Sequence, residues 1–410
     1  MTEGLVLTPC LVTARGGPVP RRGDEVGRLE ATRDGALAWQ EGVVAYGGSV
    51  ADCPKALLEL PTVQADGAVL PGFVDCHTHL PFYGWRADEF EVRLAGKTYR
   101  DLHGGGGIYR SARLLAEGRD DEVLGFSRTL TEEMLAHGTT ALELKTGYGL
   151  SVEGELRQAR LARSLAKEIP QTVRVTLLCC HAIPSDRSRE DWVEEVCEQL
   201  IPAAAEEGLA DAADVYVEDI AFSVEDLAKV AKVAREHGLA VRCHADQLGA
   251  SGAAEGAAAA GARSADHLNH ISDKGVQALA GSDTVAVLLP VSTLFLRAAP
   301  PPVLDLIAAG AAVALATDFN PGTSPCLSMP EVMSVAASLY RLPPLAAIGA
   351  ATLNAAWVLR LHEELGSLEV GKRADFVVLD SPDAAMVPYR PGHNPIVETW
   401  IGGERVFSRQ

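Results

Sequence analysis

The sequence lacks an excess of positive charge. Its 410 residues include 36 lysines and arginines against 55 aspartates and glutamates, which gives a formal net charge of -19 at pH 7. Nucleic acids and anionic membrane surfaces attract basic proteins, so this balance argues against both as partners. An anionic small-molecule substrate would need a local cationic pocket to hold it against the surrounding negative field.

Long apolar runs and paired cysteines are missing as well. No run reaches the roughly 18 apolar residues that a membrane span needs, and the N-terminus lacks the pattern of a secretory signal. The eight cysteines form no Cys-x-x-Cys pair, which is typical of reduced thiols. We therefore predict a cytoplasmic protein, in which Cys76, Cys179, Cys180 and Cys243 are small buried residues of strands.

From about residue 70 onward, short β-rich runs alternate with helix-like segments. The runs are GFVDCHTH, TTALELKTG, VRVTLLCCHA, DVYVEDI, LAVRCHAD, SADHLNH, TVAVLLPV and AAVALATDFN. The clearest helical segments between them are 152–168, 187–207, 223–237 and 303–310. Near-continuous apolar runs are typical of buried parallel strands, and no self-similar repeat of fixed period is present. The sequence therefore predicts an α/β fold, a (β/α)8 TIM-like barrel.

The two ends of the chain follow a different pattern. GALAWQEGVVAYGG near the start, and GSLEVGKRADFVVLD and PIVETWIGGERVF near the end, alternate like antiparallel strands. Neither end could bury much core alone. We therefore expect residues 1–65 and 368–410 to form one small composite β-sandwich domain, beside a barrel formed by residues 66–367.

Histidines and one aspartate gather at the predicted strand ends. His77 and His79 stand one residue apart, so they point to the same side of their strand. Later runs end in three further histidines and an aspartate, namely His181, His244, His267 and Asp318. Active sites of such barrels lie at the carboxyl ends of the strands, so these side chains predict a metal site. Imidazole and carboxylate ligands suit zinc or iron better than calcium or magnesium, and such metals activate water for hydrolysis.

Several motifs resemble those of a known family. PGFVDCHTHL, HADQ, SADH and ATDFNPGTSP, with the tail GSLEVGKRADFVVLD, resemble the amidohydrolase superfamily. RADEFEVRLAGKTYRDLHGGGGI, ALELKTGYGL and VALATDFNPGTSP are similar to the imidazolonepropionases within it. The resemblance covers nearly the whole chain. It implies hydrolytic ring opening of 4-imidazolone-5-propanoate to N-formimidoyl-L-glutamate in histidine degradation, one Zn2+ or Fe3+ per subunit and, by analogy, a homodimer.

The resemblance also implies roles for individual residues. The metal ligands would be His77, His79, His244 and Asp318. The substrate would contact Arg86, Tyr148 and His181, and the ring or the product would contact Asn320, Gly322 and Thr323. The catalytic residues would be Asp318 as proton carrier, His267 at the oxyanion and Gln247 at the ring.

The residues themselves support some of these roles and leave alternatives open. The Arg86 guanidinium can hold a propionate carboxylate in a bidentate fork, but without the resemblance a surface ion pair with Asp88 or Glu89 would be the favoured interpretation. Gln247 has a carboxamide where deaminating relatives have a proton-shuttling glutamate, which argues against deamination of an aromatic base. Tyr148 could be a packing residue, the Asn-Pro-Gly stretch after Asp318 a plain turn, and His267 a core histidine.

Other readings concern the whole protein and its pocket. The chain could act on another cyclic amide or amidine that carries a carboxylate, or be a catalytically inactive assembly protein, although its ligand set is complete. Lys145 and Glu218 also end strands, and we interpret them as structural or supporting ion pairs. Tyr83 and Trp85 could narrow the pocket and alter substrate choice, or they could merely pack under the lid. The glycine run 104–107 lacks the Gly-Lys-Ser/Thr of a phosphate loop and is a candidate lid.

Overall fold

Two eight-stranded sheets organise the chain in a computed structural model that describes residues 3–96 and 106–409. The first sheet contains β1 (Gly4–Val12), β2 (Ala31–Gln40), β3 (Val43–Ser49), β4 (Thr62–Gln64), β5 (Val69–Pro71), β14 (Phe376–Leu379), β15 (Ile396–Ile401) and β16 (Glu404–Ser408). The second contains β6 (Phe73–Asp75), β7 (Thr139–Lys145), β8 (Thr172–Cys180), β9 (Ala212–Val217), β10 (Ala240–Ala245), β11 (Ser264–His267), β12 (Val285–Leu288) and β13 (Val313–Leu315).

Helices lie between most of these strands. In chain order they are α1 (Lys55–Leu58), α2 (Ala87–Leu94), α3 (Ile108–Glu117), α4 (Asp120–Ala136), α5 (Val152–Glu168), α6 (Arg189–Glu195), α7 (Ile201–Glu206), α8 (Val224–Glu236), α9 (Ala253–Ala259), α10 (Asp273–Ala280), α11 (Pro290–Leu296), α12 (Val303–Ala308), α13 (Met329–Leu339), α14 (Pro344–Gly349), α15 (Ala355–Val358) and α16 (Met386–Tyr389). Short 3-10 turns cover Gly23–Gly27 and Val50–Asp52, and π turns cover Val196–Leu200 and Ala350–Asn354. Among the described residues, no helix is long and apolar enough to cross a membrane.

The second sheet is the predicted barrel. Strands β6 to β13 pair in parallel and in chain order, and a parallel bridge between Thr78 and Phe319 closes the circle. The strands are buried nearly throughout because helices cover their outer faces and the barrel interior covers their inner faces. The (β/α)8 prediction is therefore confirmed, and the four cysteines predicted to be buried are buried.

Both ends of the chain meet in the first sheet. Its order is β16-β15-β14-β5-β1-β2-β3, with β4 beside β1. Trp39 of β2 packs 5.5 Å from Phe376 of β14, although three strand spacings, about 14 Å in a flat sheet, separate the two strands. The sheet must therefore fold over on itself, and a bridge between Val43 and Arg373 joins its two sides. This is the predicted sandwich built from both termini.

The predicted boundary between the terminal domain and the barrel lies near β5. The strand β5 lies beyond residue 65, in the range predicted for the barrel, yet it pairs with β1 and β14 of the terminal sheet. Only Gly72 separates β5 from β6, and a Cβ at this glycine would lie 2.2 Å from Oγ1 of Thr140. The chain thus passes from one sheet to the other within a single close-packed residue, and the boundaries at 65 and 368 stay predictions.

Candidate metal centre and active site

Several polar side chains in the barrel strands stand two residues apart, on the same face of their strand. Asp75, His77 and His79 alternate along β6 and its continuation, and Arg242 and His244 alternate along β10. Because side chains two residues apart lie on the same face of a strand, each set points into the barrel. All five are buried. The interior therefore carries histidines at its carboxyl end and charged groups one layer below.

Three of the predicted ligands converge on one point. Nε2 of His77 lies 3.3 Å from Nε2 of His79, and Oδ1 of Asp318 lies 3.1 Å from His79 Nε2 and 3.5 Å from His77 Nε2. His77 also forms a second compact group with His244 and His267, whose ligand atoms lie within 4.8 Å of one another. The structure thus brings the four predicted metal ligands and His267 together.

The chemistry of these atoms fits a metal ion. Nδ1 of His77 lies 2.6 Å from a carboxylate oxygen of Asp266, which can only accept, so Nδ1 carries the proton and Nε2 presents its lone pair to the cluster. His244 Nε2 and Asp318 Oδ2 are buried and have no hydrogen-bond partner among the described residues. Imidazole lone pairs and carboxylate oxygens that converge in a buried site repel one another unless a proton or a cation lies among them, and such atoms are ligands of zinc and iron.

Burial keeps the imidazoles of His77, His79 and His267 neutral, the form that binds metals. Desolvation lowers the pKa of His77 and of His79. It also lowers the pKa of His267, to about 3. A neutral His267 can donate one hydrogen bond and accept another but carries no positive charge at neutral pH.

Two site residues owe their direction to an unusual backbone. His267 and Asp318 have φ angles of 81° and 54°, in the left-handed region that non-glycine residues seldom occupy. Asp266 precedes His267 directly, so a regular strand would point the two side chains to opposite faces. The left-handed turn lets both face the barrel interior. Nδ2 of Asn320 donates to the carbonyl oxygen of Asp318 at 2.6 Å and to its Oδ1 at 3.1 Å, which fixes that carboxylate.

A fully buried layer of charges supports the histidines from below. Arg242 contacts Glu143 and donates to Asp266 at 2.9 Å, and Asp266 holds His77. Lys145 lies 2.9 Å from Glu143 and 2.7 Å from Asp214, and Oδ2 of Asp214 lies 3.1 Å from Nδ1 of His244. Each carboxylate that lies beside a histidine is therefore itself paired with a buried cation.

Sequence reasoning found only part of this layer. The interpretation of Lys145 as a structural ion pair is confirmed. For Glu218 the interpretation is wrong: within the described residues no cation pairs with this carboxylate, which accepts the backbone N–H of Leu248 at 2.7 Å instead. Burial raises the pKa of Glu218 to about 7. The residues missed are Glu143, Asp214, Arg242 and Asp266. The sequence did carry a signal for them: each is a charged residue within a predicted strand, and Asp214 and Arg242 each lie two residues before a residue of the site, on the same face of the strand.

One cavity at the mouth collects most of the predicted substrate residues. Its empty volume is about 380 Å³, which includes space open to solvent. Its lining includes the predicted residues His79, Arg86, Tyr148, His181, His244, Gln247, His267, Asp318, Asn320 and Thr323. Sequence reasoning missed Ile108 and Tyr216. Tyr216 lies two residues after Asp214 in β9, so both side chains point to the same face of the strand.

Arg86 both pairs with an acidic neighbour and lines the cavity. Its Nε donates to Glu89 at 3.0 Å and its Nη1 to Ser111 at 3.0 Å, while the side chain also lines the cavity. Asp88 pairs with Arg110 instead. Gly322 is not in the cavity lining; a Cβ there would lie 2.1 Å from Arg86 Nη2, so the missing side chain makes room for the guanidinium.

Two further expectations concern the rim. Tyr83 and Trp85 do not line the cavity; both pack edge-on against Phe126, with ring centroids 5.8 and 5.7 Å from that of Phe126.

The predicted lid at 104–107 lies partly outside the described residues. Gly107, which is described, precedes α3 with a φ of 59°.

Comparison with known proteins decides the family. The amidohydrolase family model matches residues 68–406. An imidazolonepropionase of Cupriavidus taiwanensis is 43% identical over 374 residues, covering 89% of this chain and 89% of its own. Another, from Rubrobacter xylanophilus, is 43% identical over 382 residues and covers 92% of each chain. The chain belongs to the imidazolonepropionase family of amidohydrolases.

Solved structures share the amidohydrolase fold at lower identity. A zinc-bound adenosine deaminase from Xanthomonas campestris matches with a TM-score of 0.70 at 19% identity, over 98% of this chain and 92% of its own. The guanine deaminase of E. coli matches with a TM-score of 0.75 at 17% identity, over 99% and 100%. At these identities the likeness shows the fold alone. For this imidazolonepropionase family member, the family and the histidine–aspartate groups together indicate a metal cofactor.

We predict that Asp266→Asn weakens metal binding about ten- to a hundredfold, because the amide no longer holds the His77 Nδ1 proton with a charged acceptor. The rate of zinc transfer to a chromophoric chelator measures this effect. Asp283→Asn is the matched control, since that carboxylate is 88% exposed. Equal transfer rates for the two variants would show that Asp266 has no part in holding the metal ligand.

Proposed function

We propose that this chain hydrolyses the ring of 4-imidazolone-5-propanoate to give N-formimidoyl-L-glutamate, a step of histidine degradation. The two relatives named imidazolonepropionase are 43% identical to this chain over about nine-tenths of its length. The observation that carries the proposal is a single cavity with a histidine–aspartate cluster and the buried Arg86. Such a cavity suits a small molecule with a hydrolysable ring and a carboxylate tail.

The tail and the ring have separate partners in this proposal. Arg86 binds the propionate carboxylate, and Glu89 and Ser111 hold two of its guanidinium nitrogens so that the third can reach the ligand. Tyr148 also lines the cavity, and its ring packs 5.5 Å from that of His181. These contacts orient the ring towards His267 and Asp318.

Proton transfer falls to the chain's own groups. His77, His79, His244 and Asp318 would hold one metal ion, which when bound acts as a Lewis acid and lowers the pKa of a water ligand towards neutrality. The Asp318 carboxylate takes the proton from the attacking water and passes it to the leaving ring nitrogen. His267 donates a hydrogen bond to the oxygen that becomes negative, and Gln247 hydrogen-bonds the ring.

The proposal also includes a metal ion, an oligomeric state and a cellular location. We propose one Zn2+ or Fe3+ per subunit, because three imidazoles and one carboxylate suit these borderline ions. We also propose a cytoplasmic homodimer that acts on a small anionic molecule and has neither nucleic acid nor membrane as a partner, in keeping with its charge of -19.

The direct test supplies freshly prepared 4-imidazolone-5-propanoate to the metal-loaded protein and follows N-formimidoyl-L-glutamate by mass spectrometry. We expect stoichiometric conversion. A panel of cyclic amides and amidines, each with and without a carboxylate, tests the alternative substrates. Faster turnover of another carboxylated ring would transfer the proposal to that compound, and turnover of none of them by the metal-loaded protein would refute a hydrolytic function.

We predict that Arg86→Ala raises KM about a hundredfold or more and changes kcat by less than about tenfold. The guanidinium binds a part of the substrate that does not react, so its contribution is the same in ground state and transition state. Steady-state kinetics measure both constants, with Arg119→Ala, an exposed ion-paired arginine, as control. An equal fall of kcat and kcat/KM would contradict a role limited to carboxylate binding.

We predict that Gly322→Ala has the same kinetic signature in weaker form, roughly a tenfold rise in KM. The added methyl group would meet Arg86 Nη2 at 2.1 Å, so the guanidinium must move away from its position. Gly125→Ala is the matched control, because a Cβ on that helical glycine meets nothing within 4 Å. An unchanged KM in Gly322→Ala would mean that Arg86 does not bind the substrate from the position seen here.

A further inference from the structure

Two buried side chains of α5 hold the mouth of the barrel without lining the cavity. Glu155, which is 1% exposed, accepts three backbone N–H groups from the loop that follows β7. Its Oε2 accepts from Gly147 at 2.8 Å, and its Oε1 accepts from Gly149 at 2.7 Å and from Leu150 at 3.0 Å. One carboxylate therefore fixes the loop on both sides of Tyr148.

Gln158, one helical turn further along α5, fixes the residue between them. Its Oε1 accepts the backbone N–H of Tyr148 at 3.0 Å, and its Nε2 donates to the carbonyl oxygen of Pro81 at 2.8 Å. Pro81 follows the metal-site residue His79 by two positions. The Gln158 side chain, which is fully buried, thus ties the loop after β6 to the loop after β7.

The same loop determines how His181 faces the cavity. Nδ1 of His181 lies 3.0 Å from the carbonyl oxygen of Gly147. A carbonyl oxygen only accepts, so Nδ1 carries the ring proton and Nε2 offers a lone pair. The Gly147 carbonyl and the Tyr148 N–H belong to one planar peptide group, so Gln158, which accepts that N–H, also fixes the carbonyl group to which His181 donates.

The fit between loop and helix leaves little room for movement. A Cβ at Gly149 would lie 2.2 Å from the backbone nitrogen of Glu155, and a Cβ at Gly147 would lie 2.8 Å from Nδ1 of His181. Gly147 has a φ of 113° and Leu150 a φ of 47°. The loop therefore adopts a left-handed backbone at two positions, and its N–H groups, which are buried or partly buried, need the Glu155 acceptors to persist.

We propose that Glu155 and Gln158 are positioning residues for substrate binding, which place the Tyr148 side chain and the accepting face of His181. The proposal rests on the proposed function, in which Tyr148 and His181 bind the substrate. Neither α5 residue lines the cavity, and both act through backbone groups of the intervening loop. Their loss is therefore expected to affect KM and to leave the metal centre intact.

The experiment compares Glu155→Gln and Gln158→Leu with Glu153→Gln, an exposed carboxylate on the same helix. Hydrogen–deuterium exchange read by mass spectrometry reports how firmly residues 146–150 are held, without any substrate. Steady-state kinetics on 4-imidazolone-5-propanoate report KM and kcat, and elemental analysis reports bound metal. For Glu155→Gln we expect faster exchange in the loop and a KM raised roughly ten- to a hundredfold, with kcat within about threefold and one metal ion retained.

The outcomes separate this proposal from the function on which it rests. Faster loop exchange together with a raised KM supports the proposal, and Gln158→Leu should show both effects if Glu155→Gln does not fold. Normal wild-type turnover with an unchanged KM in both variants refutes the positioning role alone. A wild-type protein that does not turn over this substrate refutes the proposed function, and with it the positioning of Tyr148 and His181 for that substrate.

Discussion

Replacing Asp318 by asparagine is expected to lower kcat at least about a thousandfold. The side chain serves twice, as a metal ligand and as the carrier of the proton between water and the leaving nitrogen, and a positioned base alone contributes about 10²–10⁴-fold. Burial alone would raise the pKa of Asp318, but the hydrogen bond with His79 and the neighbouring His267 outweigh it, so the pKa is lowered. The carboxylate is thus ionised and able to act.

The amide of Asp318→Asn keeps the size of the side chain but cannot take a proton, so the variant separates chemistry from packing. Asp305→Asn, on the exposed face of α12, is the control for a neutralised carboxylate elsewhere. Rapid-mixing kinetics at saturating substrate measure kcat, and circular dichroism checks the fold. If Asp318→Asn kept more than about a tenth of the wild-type kcat, Asp318 would not be the proton carrier.

Removing the metal is expected to lower turnover by a similar factor, about a thousandfold or more, and to lower the melting temperature as well. The electron-rich atoms of His77, His79 and Asp318 converge within 3.5 Å of one another, and a cation stabilises that arrangement. Dialysis against a chelator followed by titration with Zn2+ should restore turnover with a break at one ion per chain. Differential scanning calorimetry should show the melting temperature rising over the same titration.

Parallel titrations with Fe2+ under exclusion of air, followed by oxidation to Fe3+, test which ion the site prefers. Mg2+ is the negative control, because it favours oxygen ligands and retains its water. Full turnover of the metal-free protein, or full recovery with Mg2+, would contradict a site built from imidazoles.

The barrel was predictable because its signals are local. Each strand is a short apolar run with polar residues at its carboxyl end, and parallel strands bring those ends to one rim whatever the sequence between them. The pair of His77 and His79 could be oriented by alternation alone. The sandwich was predictable because both ends alternate like strands and neither could form a core separately.

Other features required coordinates because no local pattern encodes them. His267 follows Asp266 directly, and only the left-handed φ of 81° brings both side chains to the interior. The space beside Gly322 is occupied by Arg86, which is far away in the sequence. Glu155 and Gln158 share one helix face, but sequence alone does not show that this face is buried beneath a loop.

The central claim is that His77, His79, His244 and Asp318 together hold one metal ion at the mouth of the barrel. Anomalous X-ray diffraction from a crystal of the metal-loaded protein, collected on both sides of the zinc and iron absorption edges, measures this directly. We expect one anomalous peak per chain, within about 2.0–2.2 Å of ligand nitrogen and oxygen atoms of these residues. No peak between them, or a peak bound by other side chains while the protein is active, would contradict it.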